Sequence, residues 1–157
     1  TAAATKNAAM PDRADNAEAL LALIAAKDDG RAVNTAELLQ RLQVTMQRQA
    51  GALRNEAGLQ RALSEVDEIA DALGADPAGT PLAFDMQRLD WFDLRNMLLV
   101  ARVVAAAALR RTESRGAHRR EDFAAPDPAW AVNQVVTLDG DELAITNTPA
   151  AREAAVA

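Results

Sequence analysis

A chain of 157 residues, half of them hydrophobic, is long enough to bury the core of one domain and too short for two. Alanine dominates while aromatic residues make up only 3%, a mixture that favours packed helices and disfavours an all-β fold. The absence of cysteine excludes disulfides, thiolate metal sites and a cysteine nucleophile, and a net charge of −6 opposes sequence-independent binding to nucleic acid.

In chain order, residues 1–14 are small and polar, lack the apolar run of a signal peptide, and are expected to form a flexible arm. Residues 15–27 predict a short amphipathic helix with an Asp or Asn cap, apolar positions at Leu20, Leu21, Leu23 and Ile24, and Lys27 at its end. A second helix begins at Asn34 or Thr35 and carries Leu38, Leu39, Leu42 and Met46 on one face, with Glu37, Arg41 and Arg48 on the other. After Gly51 the helical period resumes through Leu59, Ala62, Leu63, Val66, Ile69, Ala70 and Leu73, and Gly74 is the expected stop. The stretch "ADPAGTP" reads as a loop.

A last helix is expected from about Asp90 to about Arg111, through Leu94, Met97, Leu98, Ala101, Ala105 and Leu109. From Met97 onward it is apolar almost all round, which predicts the central, most buried helix. Trp91 and Phe92 would pack near its start. Its apolar run, residues 97–109, is interrupted by Arg102 and falls short of the roughly 20 residues of a membrane span. A soluble, cytoplasmic chain without membrane insertion is the expectation. After Gly116 the helical pattern stops, and "NQVVTLDGDELAIT" predicts a hairpin about Asp139-Gly140. The expected fold is therefore mainly α: a small antiparallel bundle of three to four helices over residues 15–147, with an extended C-terminal segment, a short β-hairpin, and a tail at 148–157.

The chemistry concentrates in "RRTESRGAHRRED", residues 110–122, where five arginines and the single histidine meet three acids. This segment is at +2 in a chain at −6, so the remainder carries −8. Four readings are open. The arginines could clamp a carboxylate or phosphate beside His118. They could pair with acids and the last carbonyls of the preceding helix. They could form a nucleic-acid patch, though no aromatic residue interleaves them. Catalysis is the fourth, weakened by the lack of any Ser, Thr or Cys in a nucleophile motif. Elsewhere there is no G-x-G-x-x-G or phosphate-loop motif, one histidine cannot build a histidine metal cluster, and Asp67, Glu68 and Asp71 have the spacing of a solvated face. Trp130 is a candidate docking anchor or a cover for the end of the bundle.

The same segment, preceded by "LRNMLLVARVVAAAAL", resembles the C-terminal helical domain of the succinate dehydrogenase, fumarate reductase and L-aspartate oxidase flavoproteins. The matching pattern is R-x-E-S-R-G-A-H-x-R-x-D-[FY], carried by Arg111, Glu113, Ser114, Arg115, Gly116, Ala117, His118, Arg120, Asp122 and Phe123. Met46, Gly51, Arg54, Leu59, Ala62 and Leu63 are similar to a second family segment, and residues 127–143 resemble the family's aspartate-rich loop, tryptophan and closing strands. The family's proline after the aromatic is replaced by Ala124.

The resemblance implies a part of an FAD-dependent oxidoreductase acting on a small dicarboxylate or related acid, inactive alone. In the family the FAD site and the catalytic residues lie in other domains, so FAD would be bound by a flavoprotein partner chain and no catalytic, cofactor or metal residue carries over. An iron–sulfur electron-transfer subunit is a second implied partner. Arg111, Glu113, Ser114, Arg115, His118, Arg120, Asp122 and Trp130 are the implied partner interface. A start at Thr1 suits removal of an initiator Met and so a separately encoded subunit, with a fragment of a longer protein as the other expectation. The alternative function is a free-standing interaction or assembly protein that uses the bundle without flavin.

Overall fold

The computed structural model describes residues 13–27, 30, 32–140 and 142–150. Four helices run in order: α1 (Arg13–Ala25), α2 (Thr35–Gln49), α3 (Glu56–Leu73) and α4 (Met86–Arg110). Two two-residue strands, β1 (Leu53–Arg54) and β2 (Arg119–Arg120), pair in parallel, and β3 (Val132–Asp139) and β4 (Glu142–Pro149) form an antiparallel hairpin. The fold is the expected one, helices with a terminal hairpin.

Short polar side chains start the helices. Asn34, Asn55 and Asp85 accept the backbone N–H groups of Glu37, Gly58 and Arg88 at 3.2, 2.9 and 3.1 Å, satisfying donors that the first helical turn leaves open. Gly74 ends α3 at φ 78, with its N–H on the Ala70 carbonyl at 2.9 Å. That positive φ is a conformation only glycine adopts without strain.

The main core joins Leu38 and Leu42 of α2, Val66, Ile69 and Leu73 of α3, and Trp91, Leu94, Leu98 and Ala101 of α4. A second cluster of Ala50, Leu59 and Ala108 continues it toward the end of α4. Among the described side chains of α1, Leu23 joins this packing, while Leu20, Leu21 and Ile24 stay exposed.

Two expectations for the last helix need correction. It starts at Met86 behind the cap Asp85, not at about Asp90, so Trp91 sits inside it rather than at its start. Nor is it buried all round. One face, Leu94, Leu98, Ala101, Ala105 and Ala108, packs inward, while Met97, Leu99, Val100 and Val104 face outward, Val100 at 61% exposure. An alanine-rich helix is apolar by composition on every side, and α2 and α3 cover only part of its circumference.

The hairpin follows the expected turn, with Asp139 opposite Glu142 and Gly140 at φ 60. Its strands are longer than the sequence pattern indicated, reaching Val132 and Pro149. The short parallel pair β1–β2 was not expected, because two residues carry no periodicity. Helix α1 begins at Arg13 and β4 ends at Pro149; the remainder of the expected arm and tail lies outside the described residues. Among the described residues no helix is long and apolar enough to cross a membrane.

Candidate functional site

The arginine segment leaves α4 where Arg111 turns out of helical geometry, at φ −79 and ψ 106. The last carbonyls of a helix have no acceptor role left inside it and need donors. Arg120 supplies them: its Nη1 donates to the carbonyls of Ala108, Leu109 and Arg111 at 3.1, 3.0 and 3.3 Å. The rest of that buried guanidinium meets Asp122 in a bidentate pair, Nε to Oδ1 and Nη2 to Oδ2, each 2.7 Å. Asp122 Oδ2 also accepts the Glu56 N–H at 2.8 Å, at the start of α3. One ion pair thus places its cation on the negative end of α4 and its anion on the positive end of α3, the arrangement both helix dipoles favour. The pairing of β1 with β2, Leu53 beside Arg119 and Arg54 beside Arg120, fixes the segment against the α2–α3 connection.

A second pair of arginines closes on Glu113, whose side chain is fully buried. Its carboxylate accepts Arg111 Nη1 at 2.5 Å, Arg115 Nε at 2.9 Å and Nη2 at 3.1 Å, and the Asp127 N–H at 2.8 Å. Arg111 reaches on to the carbonyls of Trp130 and Val132 at 3.0 and 2.9 Å and lies over the Trp130 ring at 5.2 Å. The indole N–H of Trp130 donates to Thr112 Oγ1 at 3.0 Å. Arg111 therefore ties the helix exit to the root of the hairpin, and Arg110 donates to the Ile145 carbonyl midway along β4.

Ser114 is buried, accepting the Arg120 N–H at 2.8 Å and donating to the Phe123 carbonyl at 2.8 Å. Gly116, at φ 56, turns the chain between Arg115 and His118, whose backbones exchange bonds of 2.8 and 3.0 Å. His118 is half-buried with Nε2 3.2 Å from the Arg111 carbonyl. Of the expected interface residues, Arg111, Glu113, Ser114, Arg120 and Asp122 have their polar groups engaged within the chain, and Trp130 is half-buried. Arg115 keeps nearly half of its side chain open to another molecule. Among the described residues no cluster of His, Asp or Glu could hold a metal ion.

Arg88 escaped the sequence reading. It is buried in the first turn of α4, with Nη1 on the Ile24 carbonyl at 2.5 Å and Nη2 on those of Ala26 and Gly79 at 2.7 and 3.0 Å. A cation there opposes the helix dipole, and that was the signal that it serves a specific set of acceptors.

The carboxylates of these networks set an acid limit on stability. The Arg115 guanidinium, with the Asp127 N–H and Arg111, lowers Glu113 from 4.5 to about 2 against the opposing effect of burial. The Arg120 guanidinium holds Asp122 well below 3.8, and the Thr80 N–H and hydroxyl lower Asp85 from 3.8 to about 2. Folded values below unfolded ones mean stabilisation that is present above about pH 4.5 and lost as pH falls through the folded values. His118 is depressed by burial and by Arg54, Arg111 and Arg120 around it, so its contribution begins to fade below about pH 6.5. A Tm series by circular dichroism should show a small loss below about pH 6.5 and the main loss between about pH 4.5 and 2. A Tm that holds constant through that lower window contradicts the assignment.

Comparisons with known proteins agree on one family. The family described as fumarate reductase flavoprotein C-term matches residues 39–154. An uncharacterized FAD-dependent oxidoreductase of Methanocaldococcus jannaschii is 38% identical over 104 residues, which are 66% of this chain and 19% of that protein. An L-aspartate oxidase of Caulobacter vibrioides is likewise 38% identical over 104 residues, 66% of this chain and 16% of its own length. Among solved structures, the Mycobacterium smegmatis Sdh1 complex in the apo form superposes with a TM-score of 0.73 at 31% identity, covering 93% of this chain and 26% of that one. The chain thus spans about a fifth of the length of the curated relatives it matches. With its arginine segment closing the last helix onto the bundle, the chain belongs to the family of fumarate reductase flavoprotein C-terminal domains.

Proposed function

We propose that the chain is the helical module of an FAD-dependent oxidoreductase of the succinate dehydrogenase and fumarate reductase type, and that it docks on and stabilises the flavin-bearing part of that enzyme. The observation that carries this reading is the match over residues 39–154 to a domain that is a C-terminal portion of flavoproteins several times longer. The chemistry of the described residues supports a bracing role. Among the described residues, the charged groups of Arg111, Glu113, Arg120 and Asp122 close on neighbours, and the open side of Arg115 and the exposed Arg119 do not by themselves make a convergent set for a substrate.

These residues do not fit a flavin dinucleotide, which needs a glycine-rich turn at a helix N-terminus for its pyrophosphate. A cleft of about 660 Å³ between α3, α4 and the hairpin tip is lined by Val66, Leu98, Leu99, Arg95 and Arg102 and has no such turn. FAD therefore belongs to the flavin-bearing part, as do the reaction on a small dicarboxylate or related acid and the contact to an iron–sulfur electron-transfer subunit, with the assembly in the cytoplasm. At the junction, Arg115 and the exposed edge of Trp130 contact the flavin-bearing part, while Arg111, Glu113, Ser114, His118, Arg120 and Asp122 hold the shape of that contact.

Purification from native cells with a tag on this chain should bring down a yellow flavoprotein in constant ratio. A colourless chain free of any flavoprotein overturns the proposal.

A further inference from the structure

We propose that Leu82 and Phe84, carried on a braced turn ahead of α4, form an apolar anchor that seats in a socket of the flavin-bearing part. This rests on the reading of the chain as a flavoprotein's helical module. Phe84 is 98% exposed and Leu82 72%, with Met86 and Leu89 just after them at 62 and 49%. A large aromatic side chain left wholly in water loses the burial that favours it elsewhere in the fold. Phe84 also holds φ 66, a left-handed conformation that a bulky residue rarely adopts. Unfavourable backbone and unfavourable exposure coincide at one residue, which points to a role outside the isolated chain.

The turn is braced at both ends. Asp85 caps α4 through the Arg88 N–H at 3.1 Å and reaches back to the Thr80 N–H and hydroxyl at 2.8 and 2.7 Å. Gly79 lies so close that a Cβ there would stand 2.8 Å from Asp85 Oδ1. Arg88 holds the Gly79 carbonyl from below, and Pro77 and Ala78 are buried. A protruding side chain on a preorganised turn loses little entropy on docking, the property of an interface hot spot.

The occupant follows from the layout of the flavoproteins that the chain matches. In flavoproteins of which this chain covers 16–26%, the family is the C-terminal portion, so the flavin-bearing part comes first and leads into the module through the region of α1. The end of α1 is bonded to the foot of this same turn, because Arg88, four residues after Phe84, binds the carbonyls of Ile24 and Ala26. The anchor therefore stands at the end of the bundle that faces the preceding domain. Another apolar face, a groove of about 390 Å³ with Leu42, Met46, Met97, Val100 and Val104, lies two or more helical turns away along α4 and serves as the control.

The test measures binding of the full chain to the flavin-bearing polypeptide of its flavoprotein, expressed separately and loaded with FAD. L82S/F84S should weaken binding about thirtyfold or more, while V100S/V104S stays within about threefold of wild type. Phe84→Gly, which relieves the left-handed strain, should also weaken binding yet give the isolated chain a Tm equal to or above wild type. A structural role for Phe84 predicts a lower Tm instead. If wild type binds and L82S/F84S binds as well, the anchor is wrong and the module reading stands. If wild type itself does not bind, or only pairs with its own copies, both fall.

Discussion

Replacing Glu113 by alanine is expected to lower the stability of the chain by about 3 to 5 kcal/mol, the scale of breaking a buried ion pair from one side. Two cations and one backbone N–H depend on this carboxylate. Arg115 is the lesser concern, since nearly half of its side chain already meets solvent and can turn toward it. Arg111 is 15% exposed and fastened by the Trp130 and Val132 carbonyls, so it would stay inside as an unpaired charge. The Asp127 N–H would lose its acceptor as well. Glu113→Gln, which keeps the shape and one acceptor oxygen, should lose less. Urea denaturation measures both, and a loss under about 1 kcal/mol for the alanine variant would show that the segment is not held by this carboxylate.

Trp91→Ala should be comparably damaging, about 3 to 5 kcal/mol, through the cavity it leaves. Trp91 is fully buried between α2, α3 and α4 and packs edge-on against Phe92 with ring centroids 5.1 Å apart. Its indole N–H donates to the Leu73 carbonyl at 3.3 Å, one of the carbonyls left open at the end of α3. Trp91→Phe separates the two contributions: it retains most of the volume and gives up the hydrogen bond, for a loss of about 1 to 2 kcal/mol. If the alanine and phenylalanine variants unfold at the same urea concentration, packing around this ring is not what joins the helices.

Much of this architecture was legible in the residues. Leu38 and Leu42, or Leu59, Val66, Ile69 and Leu73, recur at helical spacing because each set faces inward, and Gly74 marks a stop that its positive φ explains. The N-terminal turn of α4 was missed because Met86 and Leu89 are exposed and leave no inward period to read. Its burial was overestimated for the complementary reason: alanine and valine on all sides do not reveal which side a neighbour covers.

The arginine segment was legible as charge but not as geometry. Glu113 stands two residues from both Arg111 and Arg115, and in extended chain such neighbours share a side, so that pairing could have been drawn from the sequence. The carbonyl partners of Arg120 and Arg88 could not, since a backbone oxygen looks alike at every residue type. Long-range bonds such as Asp122 to Glu56 join positions 66 residues apart and appear only once the helices are placed.

On the function proposed above, this bundle completes a flavoprotein. Sedimentation of the purified chain mixed with the separately expressed flavin-bearing polypeptide, followed at the flavin absorption band, tests it most directly. The flavin boundary should shift to a heavier species that saturates at one chain per flavin. A flavin boundary unmoved at any excess of the chain would contradict it.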